Sequence, residues 1–540
     1  MKIRSDILRT YQSIHTWTGI IAGLFLFIGF YAGSLTMFKP QITQWATPPS
    51  HHLPQVDTSQ LDDLVKQAMA NHDKAKQGFI ISFDQDKSPM AWYEKGGGRG
   101  LRLDDSLTQA SLNDDNQLTT VASSSNKLGR LIDQLHRTAG IPGKIGHERL
   151  GVLVLGIASL LYFLTLVSGV IFLLPTMMKT LFALRKNKGA NRFWLDSHNL
   201  VGIFSLPFHI IIAWSVVIFA FHDVLYGGLS LVYGDKPMFS PRPQSNISYS
   251  VADLPPVTSY LEKINAMSEG YRISSMAFSR LDSSNPSLAV KLVSDNTIMR
   301  GGYSDYIYMN PYTQKIAFNT IANDEAGIYT AIVNSFFGLH FGNYAGYFGR
   351  WLYFAMGLLG AFLFYSGNLL WLEKRRQKQG QQTRSSYLMA ALTVGVCLGS
   401  ILGVCVAILA TKWLYIFELQ TNYSYLYCYY LSFFGAIGYA LWRGAAIAAI
   451  HLLRSLAATC LLIPLTSLAL ASPLLFETWS LGGLYGASVE IVATIFALLF
   501  YIASRKTYLR AHRGEPNSIW AIATKAETVQ SISPLKAETA

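Results

Sequence analysis

Two histidines lie in one apolar stretch, DSHNLVGIFSLPFHIII (residues 196–212), whose composition is typical of a membrane helix. His198 and His209 are 11 residues apart. An unbroken helix would place them within about 20° of one face and about 16 Å apart along its axis, although Pro207 is able to bend it. Ionisable side chains are costly inside a bilayer and usually face a partner or a cavity. The spacing therefore favours a functional site over simple helix-packing hydrogen bonds.

Three more histidines repeat this placement. His15 and His198 each open an H-x-x-x-G motif at the start of an apolar run, and His136 and His340 each end a Leu-His pair before one. Haem b needs one or two neutral imidazoles at its iron, inside an apolar sleeve. We expect two haems b, with His15 and His198 as the inner pair. His136, His340 and His209 are three candidates for the two positions of an outer haem, and their pairing stays open. Glycines four residues after three of these histidines would let a macrocycle approach the backbone, namely Gly19, Gly140 and Gly202.

Other roles for these histidines are less favoured. No cysteine or carboxylate lies at metal-ligand spacing with them, which argues against a structural metal. A proton relay is the serious rival, but relays usually include intramembrane Asp or Glu, and the first four apolar runs have almost none. The remaining histidines are interpreted as surface residues (His51, His52, His72, His512) or interfacial anchors (His147, His222, His451), and His222 is a further candidate for the outer site.

Composition identifies the class of protein. Of 540 residues, 51% are hydrophobic and 14% are charged, which with several runs of about 20 apolar residues indicates an integral membrane protein. The formal net charge is +12, but the cations concentrate in short loops beside the spans, where they set orientation. Nucleic acid is therefore excluded as a partner, and membrane lipid is expected. The four cysteines lie in or beside apolar runs near the C-terminus, so a disulfide framework is not expected.

Eight spans are predicted, and the cationic loops place both termini in the cytoplasm. The predicted spans lie near residues 14–38, 149–175, 198–224, 349–372, 387–411, 425–448, 455–476 and 484–504.

Two long polar segments then lie outside the cytoplasm, and each reads as a helix followed by short strands. We expect an α-helical polytopic membrane protein of about eight spans, with two periplasmic α+β domains inserted between spans 1 and 2 and spans 3 and 4. The predicted division is span 1 at 1–39, a first periplasmic domain at 40–148, spans 2 and 3 at 149–224, a second periplasmic domain at 225–348, span 4 at 349–373, a four-span block at 386–505 and a cytoplasmic tail at 506–540.

The first two thirds of the chain read as a duplication. Each copy has an H-x-x-x-G entry, an outer α+β segment, a Leu-His pair and a span containing Ser-Gly, at Ser168-Gly169 and Ser366-Gly367. The copies cover 1–175 and 196–373, and the last four spans show no third copy.

These motifs, with SLPFH in span 3 and the stretch YIYMNPYTQKIAF, resemble the PepSY-associated transmembrane family over about residues 1–375. The family's Asp-Pro-Tyr-Thr-Gly turn is altered here at Asn310 and Gln314, and the four-span block is an addition. The resemblance implies PepSY-like periplasmic domains. It also implies likeness to iron-regulated bacterial inner-membrane proteins, similar to ferric-siderophore reductases, with two b-type haems. Five ligand candidates carry over with the pairing unsettled: His15, His198, His209, His136 and His340.

The expected function is an oxidoreductase that passes electrons from the cytoplasmic side, or from quinol, to a ferric siderophore or other ferric chelate in the periplasm. No nucleotide- or flavin-binding motif is visible, so the donor is separate. The alternatives are a non-redox binding or sensory protein for a peptide or protease, and a siderophore or haem transporter. Four residues of one hairpin are candidates to contact an anionic chelate, although a plain charged hairpin is favoured: Trp92, Lys95, Arg99 and Arg102.

Overall fold

The structure is a computed structural model. It describes residues 4–48, 53–97, 101–146, 148–177, 183–185, 188–234, 249–321, 327–379, 382–472, 487–513 and 517–522. The interpretations of His51, His52 and His147 and the suggested role of Arg99 lie outside these residues.

Long apolar helices form most of the described chain. Six of them are long and apolar enough to cross a membrane, and a bent pair makes a seventh candidate. The six are α1 (Ser5–Thr36), α6 (Leu150–Leu173), α12 (Gly346–Gln377), α13 (Arg384–Ile416), α15 (Ala445–Ala471) and α16 (Ala487–Arg513). The chain is therefore a multi-pass membrane protein, as its composition predicts.

The third predicted span is broken. It consists of α7 (Ala190–Phe204) and α8 (Leu206–Ala220), which meet at Ser205 with a bend of 67°. Pro207 lies in the first turn of α8, where its missing N–H costs no hydrogen bond. The single-helix relation between His198 and His209 therefore does not hold, and the two imidazoles occupy different environments.

The sixth predicted span is a helix but a less apolar one. α14 (Thr421–Arg443) has six tyrosines in 23 residues. It is not among the described helices that are long and apolar enough to cross a membrane. The shorter helices are α2 (Lys39–Trp45), α3 (Leu61–Asn71), α4 (Asp73–Gln77), α5 (Leu128–Thr138), α9 (His222–Tyr233), α10 (Val257–Met267) and α11 (Gly327–Phe341).

The two polar segments share one antiparallel sheet of eight strands, a union that the sequence does not predict. The first segment contributes β1 (Ile80–Ser82), β2 (Met90–Lys95), β3 (Ser106–Leu112) and β4 (Leu118–Ser124). The second contributes β7 (Arg272–Ser279), β8 (Ser287–Val293), β9 (Asp305–Met309) and β10 (Ile316–Asn319). Their order is β10-β9-β8-β7-β1-β2-β3-β4, and β1 joins β7 in the register Ile81 to Met276. A separate two-stranded ladder, β5 (Lys144–Ile145) with β6 (Glu148–Arg149), precedes α6.

The two faces of this sheet differ because side chains alternate along a strand. Trp92 and Leu292 point into a core shared with α3 and α10. Their neighbours Tyr93 and Lys291 point to the other face and line a cavity that reaches the outer pair of histidines. One face of the sheet is thus turned toward the helical bundle, with the cavity between them.

Below the sheet, α1 packs against α6 and α12, α6 packs against α8, and α7 packs against α12. The four C-terminal helices pack mainly on one another, and α13 and α14 also contact α1 and α5. All four cysteines are free. Their surroundings are apolar, in line with their predicted role as small packing residues.

Candidate functional site

The inner pair of histidines lies at the end of the bundle remote from the sheet. His15 on α1 and His198 on α7 have ring centres 6.5 Å apart, with an angle of 81° between the ring planes. The Nδ1 atom of His15 is 2.9 Å from the carbonyl oxygen of Thr165. The Nδ1 atom of His198 is 3.0 Å from the hydroxyl of Ser366. Each ring is thus tied to the span that follows it in its own copy of the duplication.

The outer pair lies near the sheet. His136 on α5 and His340 on α11 have ring centres 6.2 Å apart, with 33° between their planes. The Nδ1 atom of His136 is 2.8 Å from the carbonyl oxygen of Gly29, and that of His340 is 2.8 Å from the hydroxyl of Ser215. The three outer candidates thus resolve into one pair and one separate residue, His209.

The hydrogen bonds at Nδ1 define the tautomer of these rings. A carbonyl oxygen only accepts, so Nδ1 of His15 and of His136 must donate. Ser215 donates its own hydrogen to the carbonyl of Ile211 at 2.7 Å, and it therefore accepts from His340. The hydroxyl of Ser366 likewise donates its hydrogen to the carbonyl oxygen of Leu363, and it therefore accepts from Nδ1 of His198. The lone pair of each ring is then on Nε2, for which the structure records no hydrogen bond within the described part of the chain. An outward-facing Nε2, oriented through Nδ1, is the usual arrangement of a metal-ligating histidine.

The spacing within each pair suits one metal ion between two imidazoles. A metal–imidazole bond is about 2.0–2.1 Å long, and the ring centre lies about 1.1 Å beyond the nitrogen, which places two opposed ring centres about 6.3 Å apart. The observed values of 6.5 and 6.2 Å agree with this figure. If the two rings only packed against each other, nothing would require that each Nε2 lack a hydrogen-bond donor. A metal ion bound between the rings does require this. The four histidines therefore fit two bis-imidazole haem sites.

Glycines allow the rings to lie against the neighbouring helices. A Cβ atom added at Gly169 would lie 2.8 Å from Nδ1 of His15, and one added at Gly33 would lie 2.7 Å from Nδ1 of His136. At Gly367 it would lie 3.3 Å from the ring of His198. The expected glycines are different ones: Gly19 faces the methyl group of Thr165, Gly202 faces Leu363, and Gly140 has a φ of +76° just after α5. The expectation that these three admit a macrocycle has no support in their contacts.

His209 is fully buried and has no hydrogen-bond partner at either ring nitrogen among the described residues. Its ring centre lies 5.5 Å from that of Phe30 and 5.9 Å from that of Tyr162. A Cβ atom at Gly360 would lie 2.9 Å from its Cε1. No second histidine faces it, so the structure does not bring it into either pair.

The two pairs occupy different levels of the bundle. Gly29, which holds His136, lies 14 residues after His15 on α1, or about 21 Å along a helix axis. Aromatic rings pack together beside Gly29: the ring centres of Phe30 and Phe364 are 5.3 Å apart, and those of Tyr162 and Phe364 are 5.0 Å apart.

A cavity of about 1810 Å³ lies between the outer pair and the sheet, and His136, His340 and Gly33 line its floor. Ligand pockets for small molecules usually measure about 300–1,000 Å³, so this one has room for a macrocycle edge and a further ligand. Eight cationic side chains and five carboxylates line it. The cations are Lys39, Lys87, Lys127, Arg130, Arg137, Arg272, Lys291 and Arg350, and the acids are Asp84, Asp86, Asp133, Glu148 and Asp295.

Lys39 and Lys291 both line the cavity, and partial loss of water around their amino groups lowers the pKa of each. For Lys39 the nearby Asp133, 3.5 Å from its Nζ, opposes this change. For Lys291 the neighbouring cations Lys87 and Arg130 lower the pKa further. A lysine that is costly to keep charged gains from an anionic ligand, so the cavity is suited to anions.

The hairpin suggested for chelate binding lies elsewhere. Trp92 is fully buried in the core on the far face of the sheet. Lys95 is exposed and forms an ion pair of 3.0 Å with Asp104. Within the described residues this is a plain charged hairpin, and Trp92 is not available to a chelate.

The sequence did not predict the residues that form hydrogen bonds with the Nδ1 atoms of the four histidines. Thr165, Ser215 and the carbonyl of Gly29 carry no motif of their own. Ser366-Gly367 was noted only as a repeated dipeptide, but the structure shows that its serine binds His198 and its glycine makes room for the ring.

No curated protein matches the chain. A family model described as the PepSY-associated TM region matches residues 12–374. The match covers both copies of the duplication and both histidine pairs, and it ends before the four C-terminal helices. The chain therefore belongs to the PepSY-associated transmembrane family.

Proposed function

We propose that this protein carries two b-type haems and reduces a ferric chelate, such as a ferric siderophore, in the cavity under the sheet. His15 and His198 would hold the inner haem, and His136 and His340 the outer one. The observation that carries the proposal is the spacing of the two pairs, 6.5 and 6.2 Å between ring centres, with every Nδ1 committed to an acceptor.

The protein's own groups perform four tasks. The four imidazoles supply neutral nitrogen ligands, and their Nδ1 partners hold each ring at a fixed angle. The glycines beside them let each ring lie against a neighbouring helix, and buried apolar side chains of α1, α6 and α12 exclude water from the core of the bundle. Each haem, when bound, supplies one-electron redox chemistry at its iron.

The cavity would receive the chelate. Ferric iron in a siderophore is held by hard oxygen donors, which bind ferrous iron far less tightly, so adding one electron promotes release. Lys291 from the sheet and Arg130 from α5 converge on the space above His136. They would attract an anionic chelate and orient it toward the outer pair.

The electron would come from quinol or from a donor on the cytoplasmic side, because no nucleotide-binding motif is present in the sequence. The inner pair, at the far end of the bundle from the sheet, is the entry point in this scheme. A bacterial inner membrane, with both termini in the cytoplasm, gives that direction of transfer.

The test uses the full-length protein purified in detergent from haem-sufficient cells. A Soret band, two haems b per chain in a pyridine haemochrome assay and sharp visible bands after dithionite are expected. Mixing the reduced protein anaerobically with ferric citrate or a ferric trihydroxamate should restore the oxidised spectrum, with ferrous iron trapped by a chelator. A colourless folded protein would overturn the proposal and favour a binding or sensory role. A coloured protein that no ferric chelate reoxidises would point to haem transport.

A further inference from the structure

A cluster of metal-ligating side chains lies at the outer ends of the second and third spans. Glu148 is in β6, directly before α6, and His222 and Asp223 open α9, directly after α8. Each residue offers one ligand atom, and the three atoms all lie within 4.8 Å of one another. This separation is within the reach of one bound cation.

The orientation of His222 makes the cluster receptive to a cation. Its Nδ1 atom lies 2.8 Å from the carbonyl oxygen of Phe219, so Nδ1 donates and Nε2 is the nitrogen left to bind a proton or a metal ion. That Nε2 atom faces a carboxylate oxygen of Asp223 at 3.2 Å. A proton on Nε2 makes this contact an ion pair, and a metal ion bound between the two groups would take the place of that proton. The bond at Nδ1 is also the usual outer-shell support of a metal-binding imidazole.

The helices hold the cluster together. A Cβ atom added at Gly156 of α6 would lie 2.5 Å from the Cβ of Ala220, the last residue of α8. This close approach fixes the start of α6, and with it Glu148, relative to His222. The ligand groups therefore come from separate elements whose relative position is fixed by helix packing.

The cluster opens on the cavity described above. Glu148 and His222 line the same cavity as His136 and His340. Asp223 is 60% exposed, so a bound ion would also be reached from solvent. The site is thus accessible both to the outer pair and to the surroundings of the protein.

We propose that Glu148, His222 and Asp223 bind a divalent first-row transition metal ion through one imidazole and two carboxylates. Such a mixed nitrogen and oxygen set with open positions suits Mn²⁺ and Fe²⁺. The choice of Fe²⁺ as the natural ion rests on the proposed function, in which ferrous iron is released in this cavity. The site would then capture the reduced ion before it diffuses away.

Mn²⁺ is a redox-stable probe, and its free form is counted by room-temperature EPR. The full-length protein should bind one Mn²⁺ per chain. Glu148→Gln, His222→Gln and Asp223→Asn should each weaken this binding at least about tenfold. Asp86→Asn is the matched control, because Asp86 lines the same cavity without belonging to the cluster, and its affinity should equal that of the unchanged protein. Thermal melting of each variant shows that it is folded.

Anaerobic Fe²⁺ should displace the bound Mn²⁺ at a lower concentration than Mg²⁺ does, as imidazole ligation favours the transition metal. Equal Mn²⁺ binding by the unchanged protein and by the three variants would overturn the proposal. So would equal loss in Asp86→Asn, which would indicate diffuse attraction by the carboxylates. A protein without haem that still binds Mn²⁺ at this cluster would refute the reductase and leave the metal site standing. If the protein reduces ferric chelates but the three variants bind Mn²⁺ as the unchanged protein does, the metal site is refuted and the reductase stands.

Discussion

At the residue scale, each imidazole of the two pairs is held through Nδ1, and the ring centres within a pair lie 6.5 and 6.2 Å apart. His198→Ala should therefore remove the inner haem and keep the outer one, and His136→Ala should do the opposite, since the levels are about 21 Å apart. A haem assay should fall from two haems per chain to one, and low-temperature EPR should show which ferric signal is lost. His209→Leu should keep both haems, because His209 faces no second histidine. Loss of both haems in a folded His198→Ala protein would contradict the independence of the pairs.

The glycines beside the rings allow a test that leaves every ligand in place. Gly33→Ala should weaken outer haem binding at least about tenfold, because its Cβ would lie 2.7 Å from Nδ1 of His136. Gly435→Ala is the matched control, since nothing lies within 4 Å of a Cβ at that helical position. Replacing Gly by Ala favours the helix by about 0.8–1 kcal/mol in both variants. A difference in haem content between the two variants therefore reports the steric effect of the added Cβ atom at Gly33. Full outer haem occupancy in Gly33→Ala would contradict the close fit.

How far the sequence predicts the site depends on what each residue contacts. The sequence pairs His15 with His198 because they occupy equivalent places in two copies, and their ring centres lie 6.5 Å apart in the structure. The outer pairing stayed open because His136, His340 and His209 were three candidates for two positions, and the predicted helical relation of His209 to His198 assumed a straight helix. The break at Ser205 cancels that relation. The Nδ1 acceptors are backbone carbonyls or common serines, for which spacing carries no signal.

At the scale of elements, the bent third span serves both levels. α7 carries His198 of the inner pair, and α8 carries Ser215, which holds His340 of the outer pair. A proline within an apolar run indicates a possible bend but gives neither its angle nor its consequence. Alternation along the chain predicted β1, β2 and the four strands of the second segment, but it did not predict β3 and β4. The union of the two segments through β1 and β7 was not predicted either, because cross-segment pairing depends on register between strands far apart in sequence.

A buried ion pair lies directly before α5, the helix that carries His136. Lys127 and Asp105 are 2.7 Å apart, with side chains 8% and 2% exposed. Lys127→Met should destabilise the protein by about 3–5 kcal/mol, because the carboxylate stays buried without its cation. The double variant Lys127→Met with Asp105→Asn should recover most of that loss. Thermal melting in detergent measures both, and a single variant as stable as the unchanged protein would contradict the argument.

At the scale of the whole molecule, the C-terminal helices brace the element that carries His136. Asn422, at the start of α14, accepts from the backbone N–H of Lys127 at 3.0 Å and donates to the carbonyls of Leu103 and Ser125. The side chain of Asn126 donates to the hydroxyl of Tyr425 at 2.9 Å. These bonds cross from the added block to the residues just before α5, so the block is coupled to the outer pair although it carries neither of its histidines.

Asn422→Ala therefore tests the role of the block. It removes three hydrogen bonds to backbone groups and should lower the stability of this contact by about 2–4 kcal/mol. We expect faster proteolysis around residues 101–128 and a lower occupancy of the outer haem, with the inner haem unchanged because His15 and His198 do not contact α14. Ser424→Ala is the matched control, since Ser424 is half-exposed and the hydrogen bond recorded for its hydroxyl among the described residues is to the carbonyl oxygen of Gln420, directly before its own helix. If both variants keep two haems and the same proteolysis rate, the block does not support the outer pair. Selective loss of the outer haem in Asn422→Ala would instead assign the four added helices a structural part in electron transfer, since they would fix the distance between His136 and its partner across the bundle.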